Sequence, residues 1–406
     1  MTKRGVGLSP AFATMCVDDA VVHVDDAAPV GDMRLRPDLD AAAELSASLR
    51  WAPADQLTQD LEPVPFCQRS AVRRLTEEAE RAGYRYLMAY EFEFTLYRSA
   101  SDGAADRPAH DGPGYGLLPF LQNEDFILDV LRALENAGVE VEIMHPEYGK
   151  GQIEISVAPT SPVSAADRAV LVRLVVMRAA ARHGCRVSFA PLTALGGIGN
   201  GAHLHFSAST DGGNVFSTGD QHYGMNTAGS QMIAGLHHNL PAATALFAPS
   251  VVSFERLAPG MWSGAWACWG LENREAALRF IAGTRGFGDS SANCEVKLLD
   301  PAANPYLGVA AVLALSQHGV RAGAQCDPPV ASDPASVPQD QRVARGIREL
   351  PTSLPAALDA LGANAVLRES LGGDLVDLYC AVHRYEHATY GSIPIEERIE
   401  LLRWRY

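Results

Sequence analysis

The chain has 406 residues, 47% of them hydrophobic, and a formal net charge of −15. This composition predicts a globular protein of two or three domains, and the acidic balance argues against nucleic acid or an anionic membrane as a partner. The sequence has no apolar run near the ~18 residues of a membrane span and no signal-peptide layout. Its seven scattered cysteines lack a CxxC pair, which indicates reduced thiols rather than a disulfide framework or a zinc site. We therefore expect a cytoplasmic protein.

We predict that residues 1–60 form a small, acidic unit interrupted by prolines, with short strands at Ala20–Val24 and Met33–Leu35. Because it has few apolar residues, we expect this unit to pack against the rest of the chain or against another subunit. A helix at Ser70–Ala82 and a strand at Tyr84–Tyr97 follow, and residues 98–116 have the composition of a loop.

Strands alternate with helices along the rest of the chain, which predicts an α+β fold with a mainly antiparallel sheet. The predicted elements are, in order, helix Glu124–Ala137, strand Val139–Met144, strand Gln152–Val157, helix Val163–His183, strand Arg186–Ala190, a glycine-rich turn at Gly196–Gly201, strand Ala202–Ser207, a polar loop at Gly212–Gly229, helix Gln231–Phe247, a proline-rich loop at Asp327–Asp340 and a helical tail at Leu354–Arg403.

Two acidic residues lie on one face of the strand Tyr84–Tyr97. Side chains alternate along a strand, so Glu91 and Glu93 point one way while Phe92 and Phe94 point to the core. A lone pair of this kind is more often an exposed polar face. A functional interpretation therefore depends on partners elsewhere in the chain.

The segment 145–154, HPEYGKGQIE, contains a second pair of carboxylates. Gly149 and Gly151 allow a tight turn, so Glu147 and Glu154 can converge on one point. A polar hairpin without a ligand explains the same pattern equally well.

A pair of histidines follows the glycine-rich turn. His203 and His205 share one face of the strand Ala202–Ser207, and imidazole suits a divalent metal that carboxylates also bind. A half-buried structural pair of histidines is the alternative.

The stretch 292–307, ANCEVKLLDPAANPYL, is the most informative in the chain. Glu295 and Lys297 point to one face of a short strand, which ends in a turn at Asp300. Asn304 then opens an apolar helix, Tyr306–Leu315. An acid and a base at the end of a strand are typical of a site.

Three arginines precede this stretch, at positions 256, 274 and 279. Guanidinium groups are suited to clamp phosphate oxygens, although arginines on helix surfaces usually do not. The candidate metal ligands form an oxygen-rich, nitrogen-poor set that favours Mg²⁺ or Mn²⁺ over zinc; they are Glu91, Glu93, Glu147, Glu154, His203 and Glu295. Hard cations beside arginines are what phosphoryl transfer from a nucleotide requires.

The ordered motifs of the chain resemble those of the glutamine synthetase superfamily, and in particular its γ-glutamyl-amine ligase branch. The match runs from about Ala89 to the C terminus and consists of EFEF, HPEYGKGQIE, GNGAHLHFS, RLAPG, NREAALR and EVKLLDPAANPYL. The resemblance implies a short β-grasp-like N-terminal domain at residues 1–65, and a catalytic domain at residues 66–406 whose antiparallel strands curve round a funnel. ATP would phosphorylate the γ-carboxylate of L-glutamate, and an amine would displace the phosphate to leave an amide.

The resemblance also implies roles for individual residues. Glu93, Glu147 and Glu154 would hold one metal, Glu91, His203 and Glu295 another, giving two or three Mg²⁺ or Mn²⁺ ions per site. Arg274 and Arg279 would be the catalytic arginines and contact the ATP phosphates, with Ser207 and His205 near the nucleotide. Arg256 would bind the glutamate α-carboxylate, with Asn200, the Gly199 backbone and Lys297 in the same pocket. The superfamily forms rings, so a hexamer or dodecamer is expected.

Three departures from the family pattern bear on the acceptor. Met261 and Trp262 follow RLAPG, where ammonia-using members have an acidic residue. The N-terminal segment lacks the Asp-Gly-Ser-Ser stretch that completes the ammonium pocket, with Asp18 or Asp19 as the alternative source of that charge. Lys297 stands where an arginine is usual, which keeps the charge but loses the bidentate fork. Trp262, Trp266 and Trp269 could instead line an aromatic pocket for an organic amine; the alternative is that Trp266 and Trp269 are core residues.

We therefore predict an ATP-dependent ligase that makes a γ-glutamyl amide. Glutamine synthetase proper, a catalytically inactive scaffold or sensor of glutamate and nucleotide, and a ligase for a different acid are the alternatives. The chain also lacks the Asn-Leu-Tyr motif that is adenylylated in some bacterial synthetases, so we expect no such control.

Overall fold

A computed structural model of the chain describes residues 4–24, 27–100, 105–284 and 291–406. The α-helices of these ranges are α1 Gln68–Arg81, α2 Leu117–Asn136, α3 Pro162–Arg182, α4 Thr227–Phe247, α5 Ser253–Arg256, α6 Pro305–Arg321, α7 Gln339–Ala344, α8 Leu354–Ala363, α9 Ala365–Leu371, α10 Gly373–Tyr390 and α11 Ile395–Leu402. Short 3₁₀ helices lie at Pro10–Thr14, His222–Gly224 and Pro334–Ser336. Over the described ranges, no helix is long and apolar enough to cross a bilayer.

The strands of the same ranges form one large and two small sheets. They are β1 Val6–Leu8, β2 Met33–Pro37, β3 Ala43–Ser46, β4 Leu49–Trp51, β5 Ala54–Leu57, β6 Arg85–Arg98, β7 Arg107–Pro108, β8 Val141–Pro146, β9 Gln152–Val157, β10 Cys185–Ser188, β11 Ala202–Thr210, β12 Gly213–Asn214, β13 Trp266–Leu271, β14 Ala276–Ile281, β15 Asn293–Val296 and β16 Arg348–Glu349. Among the described residues the large sheet has eleven strands in the order β16-β13-β14-β15-β11-β6-β9-β8, with β7 and β10 on β6 and β12 on β11. Its pairings are antiparallel except for β13 with β14, so the predicted α+β fold with a mainly antiparallel sheet is confirmed.

Strand β6 lies at the centre of the large sheet, and its two faces differ in chemistry. Phe92, Phe94 and Leu96 are buried on one face, where the helices pack, and the acidic residues point to the other face. This alternation follows from the two-residue repeat of a strand. The apolar face of the sheet holds the core, which leaves the polar face for a site.

Helices α4 and α6 cross in close contact behind the sheet, because both have glycine at the crossing point. A Cβ atom at Gly235 would lie 2.2 Å from the carbonyl oxygen of Leu315, and one at Gly319 would lie 2.1 Å from that of Gln231. A larger residue at either glycine would force the helix backbones apart. The close crossing joins α6 to α4, which itself packs on β13 and β14.

One buried arginine ties the N-terminal segment to the rest of the chain. Arg69 of α1 lies 2.7 Å from Asp38, 3.0 Å from Asp55 and 2.9 Å from Asp167 of α3, and Tyr306 of α6 donates a hydrogen bond to Asp167. This network joins the end of the small sheet β1-β2-β5 to three helices. The β-grasp assignment of residues 1–65 stays a prediction.

Replacing Arg69 by methionine is expected to destabilise the protein by roughly 3–5 kcal/mol, because three carboxylates would remain close together without their shared cation. Arg73→Met is the matched control. Arg73 is 38% exposed and pairs with Asp55 at 3.1 Å, so its loss should cost at most about 1 kcal/mol. Denaturant unfolding of both variants measures the difference, and equal stabilities would contradict the role given to Arg69.

Most predicted elements match the structure within a few residues, although α6 extends six residues beyond the predicted end at Leu315 and the helical tail consists of α8 to α11. Three other differences follow. The strand expected at Ala20–Val24 is wrong, because this segment forms only an isolated bridge between Met15 and Val21. Helix α2 begins at Leu117 rather than Glu124, since proline is tolerated in the first turn of a helix. The polar loop expected at Gly212–Gly229 contains β12 and the start of α4, where Asn226 caps the helix by accepting from the Gly229 N–H.

Candidate active site

The register of the large sheet brings the predicted metal ligands together. Glu91 lies opposite His203 across β6 and β11, and Glu93 lies opposite Glu154 across β6 and β9. Residues that face each other across two strands have Cβ atoms about 5 Å apart. Glu295 joins them from β15, where it lies opposite His205.

Glu295 is fully buried and has a cation on each side. Its Oε2 accepts from Arg279 at 3.0 Å, and its Oε1 accepts from Lys297 at 3.1 Å. Burial opposes ionisation, but Lys297, His203 and Arg279 outweigh it and hold the pKa of Glu295 well below its usual value. Glu295 is therefore a carboxylate at neutral pH.

Glu147, Glu154 and His145 form a second group beside the first. His145 Nε2 lies 3.2 Å from Glu154 Oε1, and one ligand atom from each of the three residues lies within 4.8 Å of the others. Burial raises the pKa of Glu154 to about 7, and Glu91 and Glu93 add to this rise against a hydrogen bond from His145. Burial and the neighbouring carboxylates thus disfavour the charged form of Glu154, which a bound cation would stabilise.

Glu93 lies between the two groups and is held in place by neutral donors. The Gly201 N–H donates to its Oε2 at 2.7 Å, and the Gln152 side chain donates to the same oxygen at 3.1 Å. His203 Nε2 lies 3.5 Å from the other oxygen. A Cβ atom at Gly201 would lie 2.5 Å from His203 Nε2, so only glycine permits this approach.

A backbone hydrogen bond fixes the orientation of the His203 ring. Its Nδ1 lies 2.9 Å from the backbone carbonyl oxygen of Lys297, which can only accept. Nδ1 therefore carries a proton, and in the neutral ring Nε2 presents a lone pair toward the carboxylates. A backbone contact of this kind is typical of a histidine that binds a metal.

A cavity of about 410 Å³ opens over these carboxylates. Its wall combines the acidic residues with Tyr115, Tyr148, Met261 and Trp262. Trp262 is 59% exposed and has a φ of 51°. Its loop is held from below by the buried Glu275, which accepts from the N–H groups of Gly260 and Trp262 at 3.0 and 2.9 Å.

Three cationic residues border the same cavity: Arg256, Arg274 and Lys297. Arg256 is buried and donates to the carbonyl oxygen of Leu298, and burial lowers its pKa. Beneath it, burial raises the pKa of Asp300 to about 6. Arg274 is exposed at the rim. The cavity thus has cationic groups suited to a carboxylate ligand beside its acidic floor.

A second cavity, of about 390 Å³, lies on the other side of Glu91. His205 and Ser207, the predicted nucleotide residues, line it together with Tyr90 and Asn293. Glu91 lines both cavities. The carboxylate groups therefore lie between two separate openings.

The remaining predicted residues lie at the edges of the site. Gly199 lines the first cavity. Asn200 is buried one layer below, where its amide donates to Ala190 and accepts from Gln152 and Thr95. Arg279 lies at Glu295 and also pairs with Glu272.

Trp266 and Trp269 do not line the cavity. They are 3% and 0% exposed, and the Trp269 indole N–H donates to the carbonyl oxygen of Asp327. The core alternative is therefore the correct one for both, because their strand β13 lies at the far side of the sheet. All seven cysteines are in the described part of the chain and are free thiols.

Sequence reasoning missed several residues of the site. His145 lies in a quoted motif, and its place opposite Glu154 follows from the β8–β9 register, which the sequence does not give. His205 was not missed, because the sequence placed it near the nucleotide and on the same strand face as His203; the structure groups it with Glu91 and Glu295 as potential metal ligands. Tyr115 carries no signal in the sequence, because it belongs to an irregular loop.

The family model for the catalytic domain of glutamine synthetase matches residues 65–401. The chain belongs to the glutamine synthetase family. The match includes every predicted site residue, from Glu91 to Lys297.

Relatives within the glutamine synthetase family include an amine ligase. The gamma-glutamylpolyamine synthetase GlnA3 of Streptomyces coelicolor is 43% identical over 99% of this chain and 87% of that protein. A solved structure described as a novel glutamine synthase homolog aligns with a TM-score of 0.88, at 31% identity, over 100% of this chain and 92% of that one. A GmaS/ADP complex aligns with a TM-score of 0.81, at 27% identity, over 99% and 90%. The predicted enzyme class, a carbon–nitrogen ligase, is confirmed.

Proposed function

We propose that the second substrate of this ATP-dependent glutamate–amine ligase is an organic amine of the polyamine class rather than ammonia. The observation that carries the proposal is the position of Trp262, whose indole stands at the rim of the cavity where ammonia-using members have an acidic residue. The relative GlnA3 is described as a synthetase of gamma-glutamylpolyamines, which agrees with this choice.

The residues of the site fit divalent hard cations. The donor set consists mainly of carboxylate oxygens, which Mg²⁺ and Mn²⁺ prefer. Burial, with Glu91 and Glu93 nearby, raises the pKa of Glu154, and a bound cation would oppose that rise. Glu93, Glu147 and Glu154 would hold one ion, and Glu91, His203 and Glu295 another, with His145 and His205 next to them. When bound, such ions neutralise phosphate charge and polarise the transferring phosphoryl group.

Glutamate fits the first cavity because that cavity has both signs of charge. Arg256 would bind the α-carboxylate, with the Gly199 backbone and Asn200 beside it. Lys297, 3.1 Å from Glu295, would orient the γ-carboxylate at the floor. A carboxylate is a poor electrophile until it carries a leaving group, so its activation must precede the attack of the amine.

ATP fits the second cavity, beside His205 and Ser207. The γ-phosphoryl group then has to pass Glu91, which lines both cavities. Arg279 and Arg274 would stabilise the charge of the phosphoryl group as the γ-carboxylate oxygen attacks it and ADP leaves. The amine nitrogen next attacks the acyl phosphate, releases phosphate and loses a proton to leave the γ-glutamyl amide.

Amine selection follows from the cavity wall. Tyr115, Tyr148 and Trp262 present aromatic faces, which attract the ammonium groups and cover the methylene chain of a long amine. Ammonium has no methylene chain for this wall to cover. An organic diamine or polyamine has both the charge and the apolar length that the wall can bind.

Trp262→Ala is expected to raise the KM for the organic amine by roughly two- to fivefold, since a cation–π contact at an exposed site contributes on the order of 0.5–1 kcal/mol and Trp262 is 59% exposed. The KM for glutamate should change little. Steady-state kinetics with each substrate varied in turn measures both. Trp266→Phe is the control, because Trp266 is buried outside the cavity; an unchanged amine KM in Trp262→Ala would contradict the proposed pocket.

The proposed function is tested by phosphate release from ATP with Mg²⁺ and L-glutamate. Ammonium, alkyl amines, diamines, polyamines, ethanolamine and aromatic amines are compared. Turnover with a diamine or polyamine and little with ammonium supports the proposal. Preference for ammonium would make the protein a glutamine synthetase, and no turnover with any amine would favour a different acid substrate or a scaffold.

Three further properties are part of the proposal. The small N-terminal sheet is a β-grasp-like domain, and the chain assembles into a ring of six or twelve subunits as the glutamine synthetase resemblance implies. The reaction takes place in the cytoplasm, where ATP is available and where the free thiols of the described chain remain reduced.

A further inference from the structure

A second cluster of potential metal ligands lies outside both cavities. It consists of His237 and His238, near the middle of α4, and Asp327, which follows α6. One ligand atom from each of the three lies within 4.8 Å of the others. His237 Nδ1 and His238 Nε2 are both 3.1 Å from the same oxygen, Asp327 Oδ2.

His237 has a tautomer that its surroundings fix. Its Nε2 lies 3.1 Å from the backbone carbonyl oxygen of Ala267, and because a carbonyl oxygen only accepts, the proton is on Nε2. The neutral ring therefore has a lone pair on Nδ1. A backbone carbonyl behind the distal ring nitrogen is the arrangement that metal-binding histidines commonly show.

The buried Nδ1 atom of His237 has no hydrogen bond from any residue that the structure describes. It is nevertheless 3.1 Å from Asp327 Oδ2, and the side chain is only 9% exposed. A lone pair and a carboxylate oxygen at this distance repel each other unless a cation lies between them. In a coordination site, the lone pairs of neighbouring ligand atoms point to a common ion rather than at each other. The positions of His237 Nδ1 and Asp327 Oδ2 fit this geometry.

Asp327 is held where it can serve both histidines. The Trp269 indole N–H donates to its backbone carbonyl oxygen at 2.7 Å, and the Val330 N–H donates to that of Trp269 at 2.8 Å. The segment after α6 is thus fixed along β13. Since α4 supplies the two imidazoles, a bound ion would fasten α4 to this segment.

We propose that His237, His238 and Asp327 bind a Zn²⁺ ion with water in the remaining position. Two imidazoles and one carboxylate suit zinc rather than Mg²⁺. Ligand atoms of a tetrahedral zinc site are about 3.4 Å apart for bonds of about 2.1 Å, which is close to both nitrogen–oxygen distances. His238 and Asp327 are 44% and 45% exposed, so the ion can enter from solvent. The proposed ligands include no cysteine, so the lack of a CxxC pair in the sequence does not argue against this zinc site.

The competing interpretation is a protonated His237 that forms an ion pair with Asp327. It predicts no added metal binding. The two interpretations differ in the number of zinc equivalents that the protein retains, and this number does not depend on catalysis.

The test is equilibrium dialysis of the full-length, metal-stripped protein against Zn²⁺, with saturating Mg²⁺ and ADP to occupy the active site. The variants are His238→Gln and Asp327→Asn. The matched controls are His222→Gln and Asp340→Asn, which replace an exposed histidine and an exposed aspartate. Circular dichroism checks that each variant is folded.

Wild type and both controls are expected to retain one zinc equivalent more per chain than His238→Gln and Asp327→Asn. Co²⁺ in place of Zn²⁺ should give visible absorption bands of a four-coordinate ion in wild type and lose them in the same two variants. Equal zinc content in all five proteins would overturn the proposal. Because His238 is half exposed, its replacement leaves the test valid even if Asp327→Asn fails to fold.

Discussion

Glu295→Ala is expected to abolish ligase activity, with a fall in kcat of roughly 10³-fold or more. The substitution removes a carboxylate from the group that would hold a metal. In the wild type, Arg279 and Lys297 lie 3.0 and 3.1 Å from the Glu295 oxygens. The substitution leaves these two cations without their shared anion. Phosphate release under saturating ATP, glutamate and amine measures the effect.

Two controls separate chemistry from folding in this experiment. Removal of one partner of a buried ion pair costs on the order of 3–5 kcal/mol, so thermal unfolding must show that Glu295→Ala is folded at the assay temperature. Glu272→Ala removes the other, half-exposed carboxylate on Arg279 and should retain activity within about tenfold. A nearly active Glu295→Ala protein would contradict the assignment of the site.

Arg279→Ala is expected to lower kcat by about 10³-fold, the effect typical of an arginine that stabilises a transferring phosphoryl group. The guanidinium lies 3.0 Å from Glu295, and its charge cannot be replaced by water. Arg279→Lys keeps the charge without the planar fork and should recover part of the loss. Single-turnover measurement of acyl phosphate formation isolates this step.

A matched arginine gives the control for this prediction. Arg85 is exposed and pairs with the exposed Asp211, so Arg85→Ala should leave kcat unchanged. Activity in Arg279→Ala above about one tenth of wild type would show that Arg279 does not contact the phosphoryl group.

The sequence predicted the faces of the strands well, because the two-residue repeat of β6 and β11 is a local property. Glu91, Glu93 and His203 fall on the polar face as expected, and the order of the motifs indicated the family. The register is a property of strand pairing, and it decides that Glu93 faces Glu154. Only the family resemblance gave this information at the sequence level.

The tryptophans show where residue type alone is insufficient. Trp262, Trp266 and Trp269 lie within eight residues of each other, yet one borders the cavity and two are buried. The difference arises because Trp262 belongs to a loop with positive φ, whereas the others belong to β13. Loop conformation depends on the distant carboxylate of Glu275, which the sequence does not link to the loop.

The Arg69 network and the His237 cluster were not predicted for a related reason. Each joins residues that are far apart in the chain, as Arg69 and Asp167 are. A charged residue on a helix usually faces solvent, so its burial is visible only when the partner carboxylates are in place. Both features follow from the packing of helices on the sheet.

The most direct test of the account uses L-glutamate labelled with ¹⁸O in the γ-carboxylate, together with ATP, Mg²⁺ and a diamine. If ATP phosphorylates this carboxylate and the amine then displaces phosphate, one labelled oxygen passes to each phosphate released, and mass spectrometry finds the γ-glutamyl amide in equal amount. Unlabelled phosphate, or label without an amide product, would contradict the account.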